Sequence, residues 1–327
     1  MRKLLQLGVA LAMLWAGGSL AADNYPSRTI NLYIGFPPGG GADTIARLVA
    51  DQLSKVLNQA VVVHNRPGAE TTIAAAHVAN APPDGYSLLL ATDAVLGADK
   101  EAFSAFVNYD KRNFTPINRV ASTFFVLAAN NNLPVDGAGG LSEWAARLGQ
   151  PVFIGSAGGV FMKMAVSEMN RSSGITFTEV PYKGGGPATT AVLANEVPLI
   201  LMGPAAIMPL AREQKLKALG ITSPQRSALL PDLPTLSEQG MKDLDVTVSW
   251  MLFGPAGMPA EIVQTLFDAS TKVLNEESVK QRLATLGYEV APLPTYQDVL
   301  QFAEREGARL RDRVKAVVEA TPAAAGR

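Results

Sequence analysis

The run Phe36-Pro37-Pro38-Gly39-Gly40-Gly41-Ala42-Asp43-Thr44 stands between two segments of different periodicity. Before it, apolar Ile30, Leu32 and Ile34 alternate with Asn31 and Tyr33, the period of a strand. After it, Ile45, Leu48, Val49, Leu53, Val56 and Leu57 fall on one face of a 3.6-residue repeat. The order is therefore strand, glycine loop, helix N-terminus. Such a turn leaves main-chain N–H groups without intrahelical partners and aims the positive end of a helix dipole outward. Glycine lets a ligand approach the backbone, and two prolines stiffen the entry. This is the chemistry of an anion site, although a tight strand-to-helix turn uses the same residues. No Lys-Ser or Lys-Thr follows the glycines, which excludes a P-loop, and Thr44 and Ile45 stand where GxGxxG places its last glycine.

Composition narrows the class. The 327 residues suffice for two domains, and 48% apolar content supports sizeable cores. The net charge is −1 and no basic stripe occurs, so nucleic acid is not an expected partner. The absence of cysteine excludes a disulfide scaffold, a thiol nucleophile and a cysteine-ligated metal. Met1–Ala21 reads as a cleavable signal peptide: Arg2 and Lys3 open it, Leu4 to Ala16 is mostly apolar, and Ser19-Leu20-Ala21 offers small residues at the cleavage point. The alternative is an uncleaved anchor, for which the apolar core is short against the ~20 residues that span a bilayer. A soluble protein exported to the periplasm is expected, with 26 basic against 29 acidic residues once Arg2 and Lys3 are removed.

Further strands are expected at Ala60–Val63 and Ser87–Ala91, with a helix over about Thr71–Ala79 between them. Continuous apolar strands alternating with helices indicate βαβ units and a mostly parallel sheet covered on both faces. A second series opens near Phe124–Leu127, with strands at Val152–Ile154, Thr178–Val180, Leu199–Leu201 and Leu216–Ile221, each followed by a turn and a helical stretch. Thr247–Phe253 is a further strand, with Trp250 and Phe253 packing at a second crossing between the halves. The tail from Pro259 to Ala320 is helical, interrupted over Gly287–Pro294. No Gly/Ser linker separates the halves, so an α/β fold of two lobes with a cleft between them is expected. Ligands of open parallel sheets bind beyond the carboxyl ends of strands. Pro37–Gly41, Pro67–Thr72 and Thr92-Asp93 all lie at such ends.

Several motifs occur in order: Tyr25-Pro26-Ser27-Arg28, Phe36-Pro37-Pro38-Gly39-Gly40, Asn65-Arg66-Pro67-Gly68-Ala69, Pro83-Asp84-Gly85-Tyr86, Ser156-Ala157-Gly158, Val180-Pro181-Tyr182-Lys183-Gly184, Leu230-Pro231-Asp232-Leu233-Pro234-Thr235 and Gly254-Pro255-Ala256-Gly257. As a set, the sequence resembles the Bug receptors, the periplasmic solute-binding proteins of tripartite tricarboxylate transporters. The resemblance implies a two-hinge periplasmic-binding-protein fold: residues 22–123 and 249–327 in the first lobe, 124–248 in the second. It implies no cofactor, a small carboxylate ligand, membrane permease subunits as partners and a monomer. It also implies that the loop Phe36, Pro37, Pro38, Gly39, Gly40 and the loop at Ala69, Glu70, Thr71, Thr72 grip one carboxylate, while Ser156, Ala157, Gly158 and Gly159 present the second lobe. Tyr182, Lys183, Met202 and Gly203, at strand ends of that lobe, complete the candidate set.

The chain departs from the family where the ligand is expected. Glu70, Thr71 and Thr72 stand in place of further glycines; Gly159, Val160, Phe161 and Met162 replace an Asn-Gly-Thr-Ser-type run; Pro198–Met202 lacks the usual aspartates. The second lobe thereby loses polar groups and gains apolar ones. A ligand with a larger apolar body fits this exchange, unless Val160, Phe161 and Met162 pack behind the loop. Glu70 either faces solvent or meets a ligand that carries a donor. Asp43 either favours the helix N-terminus or touches the ligand. Lys183 reads as a surface charge or a ligand clamp. His64 and His77 lack an acidic ligand set, so no metal is expected. Two other functions are weighed: an orphan receptor feeding a sensor kinase, and a Ser156-dependent hydrolase. The latter lacks a Gly-x-Ser-x-Gly elbow.

Overall fold

The computed structural model describes residues 25–68, 71–98, 108–158 and 160–320. The expected signal peptide, together with Ala69, Glu70 and Gly159, lies outside the described residues.

The alternating run forms β1 (Ile30–Ile34), with Ile30, Leu32 and Ile34 wholly buried. The glycine loop leads into α1 (Gly41–Leu57), which buries Ile45, Ala46, Val49 and Leu53. It ends at Asn58, whose φ of 50° is a left-handed cap that asparagine tolerates. β2 (Val61–Asn65), α2 (Thr72–Ala79) and β3 (Ser87–Thr92) follow. β1 pairs in parallel with both β2 and β3.

The next strand is absent from the sequence reading. β4 (Phe114–Phe124) runs for 11 residues. Pro116 and the polar Thr115, Asn118 and Arg119 mask its pattern, because Asn118 is buried and bonded to Ser270 and Thr271 rather than apolar. The chain then passes through Phe125 into β5 (Val126–Asn130), so the expected strand at Phe124–Leu127 is the end of one strand and the start of another. Next come α3 (Leu141–Leu148), β6 (Val152–Ser156), α4 (Val160–Ser173), β7 (Phe177–Pro181), α5 (Gly185–Leu193), β8 (Leu199–Met202), α6 (Pro204–Arg212) and β9 (Leu216–Ile221). No helix follows β9; turns occupy the way to Val246 instead. β10 (Thr247–Pro255), α7 (Ala260–Asn275), α8 (Glu277–Thr285), β11 (Glu289–Val290) and α9 (Tyr296–Ala320) complete the described chain. None of its helices is long and apolar enough to cross a membrane.

The strands form two sheets, ordered β11-β4-β10-β3-β1-β2 and β7-β6-β8-β5-β9. One core lies around the first sheet, and two cores cover the faces of the second. The chain crosses between the sheets at Phe124–Val126 and again at Val246–Thr247. Buried Thr222 ties the two crossings together. Its Oγ1 accepts the Phe125 N–H at 2.9 Å and donates to the Val246 carbonyl at 2.7 Å. Its own N–H and C=O bond Phe125 and Val246 in turn. A third connection is ionic: α9 supplies Arg309 to Asp245 and Arg313 to Glu168 of α4.

Candidate ligand-binding site

Sheet register decides which loops share an edge. β1, β2 and β3 end at Ile34, Asn65 and Thr92, and Thr92 pairs with Trp250 near the start of β10. In the other sheet, β6, β7 and β8 end at Ser156, Pro181 and Met202. Val126, the first residue after the crossing, pairs with both Met202 and Ile221. Both sets of carboxyl-end loops therefore lie at the edges from which the crossings leave.

The Phe36–Gly41 loop is held from below. Asp43 is only 4% exposed. Its carboxylate accepts the Gly39 N–H at 3.0 Å, Asn65 Nδ2 at 2.8 Å and Arg47 Nε at 2.9 Å. The Arg47 hydrogen bond, joined by those of Gly39 and Asn65, lowers its pKa to about 2. Asn65 Nδ2 also reaches the Phe36 carbonyl. Asp43 is thus the brace of the loop, and the Gly39 N–H is spent on it rather than offered outward. The N–H groups of Gly40, Gly41 and Ala42 find no partner among the described residues, and Gly40 caps α1 without a side-chain bond. Gly39 needs to be glycine because its φ is 85°. Gly35 needs to be glycine because a Cβ there would stand 2.3 Å from Thr71 Cβ. Thr71 itself holds φ at 75°, a costly conformation for a β-branched residue. It sits at the N-cap of α2, half-buried, with Thr72 opening the helix.

Asp93 is placed elsewhere than a cleft-facing residue would be. It is 1% exposed, and its Oδ2 accepts the Ser249 N–H at 2.9 Å. Its Oδ1 has no partner among the described residues. Burial first, and the nearby Glu306 charge second, push its pKa up to about 8. Burial under α9 favours the neutral form of this carboxyl, and half-buried Thr92 is its neighbour at the edge.

In the second sheet, Ser156 is fully buried. Its Oγ donates to Glu179 at 2.6 Å and accepts the Gly158 N–H at 2.9 Å. This closes the Ser156-Ala157-Gly158 turn and leaves Ser156 Oγ without the exposure a nucleophile needs. Tyr182 donates its N–H to the Ser156 carbonyl and lays its ring beside Gly155. Lys183 is exposed. Gly184, at φ 99°, turns the chain into α5, whose first residues are Gly185 and Gly186. Met202 Cε occupies the space a side chain at Gly185 would need, so it covers the α5 N-terminus with a thioether. Gly203 caps α6, which opens with Pro204. Of the apolar trio, Met162 packs into the core with Ile154, Leu199 and Leu201, so for it the packing alternative holds. Phe161 is half-buried and stands outside the core clusters. His64 and His77 both pack on the Tyr33 ring.

Two aromatic residues extend the set. Trp250, 5% exposed, lies 5.5 Å from Phe36 and 6.3 Å from Tyr288, ring centre to ring centre. Tyr288 was not foreseen as a site residue. Its sequence signal is Gly287, a helix-ending residue just before it, but nothing local says which helix the turn meets.

The sequence model of the tripartite tricarboxylate transporter family receptor matches residues 45–320. BugT of Bordetella pertussis is 30% identical over 288 residues, which cover 88% of each chain. Among solved structures, MatC from Rhodopseudomonas palustris with bound malate is 30% identical with a TM-score of 0.71, covering 89% of this chain and all of its own. Another R. palustris protein, solved with adipate, is 28% identical with a TM-score of 0.76, covering 90% of this chain and 99% of its own. A match over most of the chain, together with relatives aligned along nearly their full length, means that the chain belongs to the family of tripartite tricarboxylate transporter receptors.

Proposed function

We propose that this protein is a periplasmic receptor that holds a small organic carboxylate between two lobes and delivers it to the membrane permease subunits of a tripartite transporter. The observation that carries the proposal is the row of N–H groups at Gly40, Gly41 and Ala42 that have no partner among the described residues, on a loop braced by Asp43. A carboxylate there receives main-chain hydrogen bonds and the α1 dipole without a buried arginine. The lobes follow the two sheets, with the expected bounds of 22–123 with 249–327, and 124–248, shifted at the crossings so that Phe124, Thr247 and Val248 go with the first. The Phe36–Gly40 loop, Thr71 and Thr72 and, across the cleft, Ala157, Gly158, Tyr182, Lys183, Met202 and Gly203 line the site; Ala69, Glu70 and Gly159, also expected there from the sequence, lie outside the described residues. Ligand contact with both lobes favours the closed state, a population shift set by differential affinity. Malate in MatC and adipate in the second relative support a carboxylate of this size. No reaction is assigned: Ser156 Oγ donates a hydrogen bond to Glu179 in a buried turn.

The test is a thermal-shift and calorimetric panel of malate, adipate, citrate and benzoate on residues 22–327, with Gly40→Glu beside the wild type. Gly40 has φ of −82°, and a Cβ there would meet only the Pro37 carbonyl oxygen, at an ordinary 3.9 Å, so the variant is expected to fold and to bring its own carboxylate to the α1 N-terminus. Wild-type binding that the variant lacks is the expected result. Equal binding by both chains refutes the loop as the anion site.

A further inference from the structure

The turn after α8 puts an unclaimed hydroxyl at the same loop. α8 ends in a Schellman arrangement: Gly287 takes φ 80°, its N–H bonds the Ala284 carbonyl, and the Tyr288 N–H bonds the Leu283 carbonyl. Thr123 Oγ1 pins this turn to β4 through the Gly287 carbonyl at 2.9 Å. The fixed turn stands between two helix N-termini, one from each sheet. On one side, a Cβ on Gly287 would lie 3.2 Å from the Ala205 nitrogen, in the first turn of α6. On the other, the Cβ position of Gly41, first residue of α1, lies 3.5 Å from Tyr288 Oη. The ring is held edge-on against Trp250, which in turn meets Phe36 of the loop.

Tyr288 Oη has no hydrogen-bond partner among the described residues. It is also not one of the sealed orphan atoms, which are Asp93 Oδ1 and Asn118 Oδ1. It therefore opens onto solvent beside the free N–H groups of Gly40–Ala42. Given a carboxylate held there, on which this step rests, we infer that Tyr288 Oη donates a hydrogen bond to that carboxylate and is a binding residue of the site. A phenol suits the task. It adds a directed donor without a second charge, and burial raises its pKa, so it keeps its proton throughout the working range of the receptor. The ring also walls the site with apolar surface, so the ligand class favoured is a carboxylate with a hydrocarbon body.

Tyr288→Phe removes the donor and keeps the ring. Calorimetry with adipate, malate and benzoate on residues 22–327 is expected to show Kd raised about tenfold for the acid that the wild type binds best, the loss of one hydrogen bond to a charged group. The melting temperature of the ligand-free variant stays at the wild-type value. A Kd within twofold of wild type overturns the inference, as does a lowered ligand-free melting point with unchanged Kd, which marks a structural role. If Gly40→Glu abolishes binding while Tyr288→Phe does not, the loop stands and Tyr288 falls. If the wild type binds none of the three acids, both fall.

Discussion

Replacing Asp43 by asparagine tests whether the glycine loop is braced as the structure indicates. The carboxylate accepts from three donors: Gly39 N–H, Asn65 Nδ2 and Arg47 Nε. Asparagine keeps one acceptor oxygen but turns an NH₂ group toward another donor, so at least one bond is lost and one donor is opposed. Hydrogen bonds to a charged, buried acceptor are worth about 1.5–3 kcal/mol each. Arg47 is 54% exposed, so solvent screening limits its share to below ~1 kcal/mol. The variant should therefore be about 2–4 kcal/mol less stable at pH 7. The pH dependence is the sharper measurement. The folded pKa of Asp43 is depressed to about 2, below the unfolded value of about 3.9. Its stabilisation is thus complete above pH ~4 and lost as pH falls from ~4 towards ~2. Urea unfolding of both chains at several pH values isolates this group by difference. The gap should shrink as pH falls through that window. A gap below ~0.5 kcal/mol at pH 7, or one that does not change with pH, refutes the brace. Because Arg47 already balances the Asp43 charge, the charge lost by substitution does little to attract an anion. Loss of loop order dominates, and carboxylate affinity should fall with stability.

Asp93→Asn should behave in the opposite sense: burial and Glu306 raise the Asp93 pKa to about 8, so this group loses stability as pH rises from ~4 to ~8, and the variant should gain melting temperature over wild type between pH 5 and pH 8, whereas a constant difference would count against it. Gly35→Ala, whose Cβ would meet Thr71 Cβ at 2.3 Å, should cost about 1–3 kcal/mol, and Thr71→Gly should restore most of that loss in the double variant by denaturant unfolding. Thr222→Val keeps the shape but strands the Phe125 N–H and the Val246 carbonyl, so urea unfolding should show a loss of about 2–4 kcal/mol, and a loss under ~0.5 kcal/mol would remove Thr222 as the tie between the crossings.

Where burial follows the local period, the fold was legible. Ile30, Leu32 and Ile34 alternate and are buried alternately; Leu88, Leu89 and Leu90 run on and are buried on both faces. β4 escaped because two of its buried requirements are met by polar chemistry. Asn118 Nδ2 donates to two hydroxyls of α7, more than 150 residues away, and Arg119 bonds the Ala291 carbonyl. No window of sequence reveals that a buried asparagine has a partner. The absence of a helix after β9 has a related cause: Thr222 at its end is committed to the two crossing segments, so the chain leaves the βαβ pattern where the sheets join.

The same contrast governs the site. A backbone anion loop is readable because its signal is local, glycines between a strand and a helix. The direction of each N–H is not, because that depends on which side chain reaches back. Asp43 lies four residues beyond Gly39 and would suit an exposed first-turn position, yet Asn65 from β2 and Arg47 draw it inward and it takes the Gly39 donor. The N–H groups without a partner among the described residues are thereby those of Gly40–Ala42, and the proposed anion site moves with them. Asp93 shows the reverse case. Its place at a strand end suggests a ligand contact, but the pairing of Thr92 with Trp250 sets it against Ser249 and under α9, where it is buried. Tyr288 enters because a Schellman turn, a threonine on β4 and a tryptophan on β10 fix its ring at α1. Main-chain donors are supplied by the fold class, whereas the side chains that select among carboxylates are delivered by long-range packing. Divergence among receptors of this family is therefore expected to concentrate at positions such as Met202, Phe161 and Tyr288, with the glycine loop and its brace held in common.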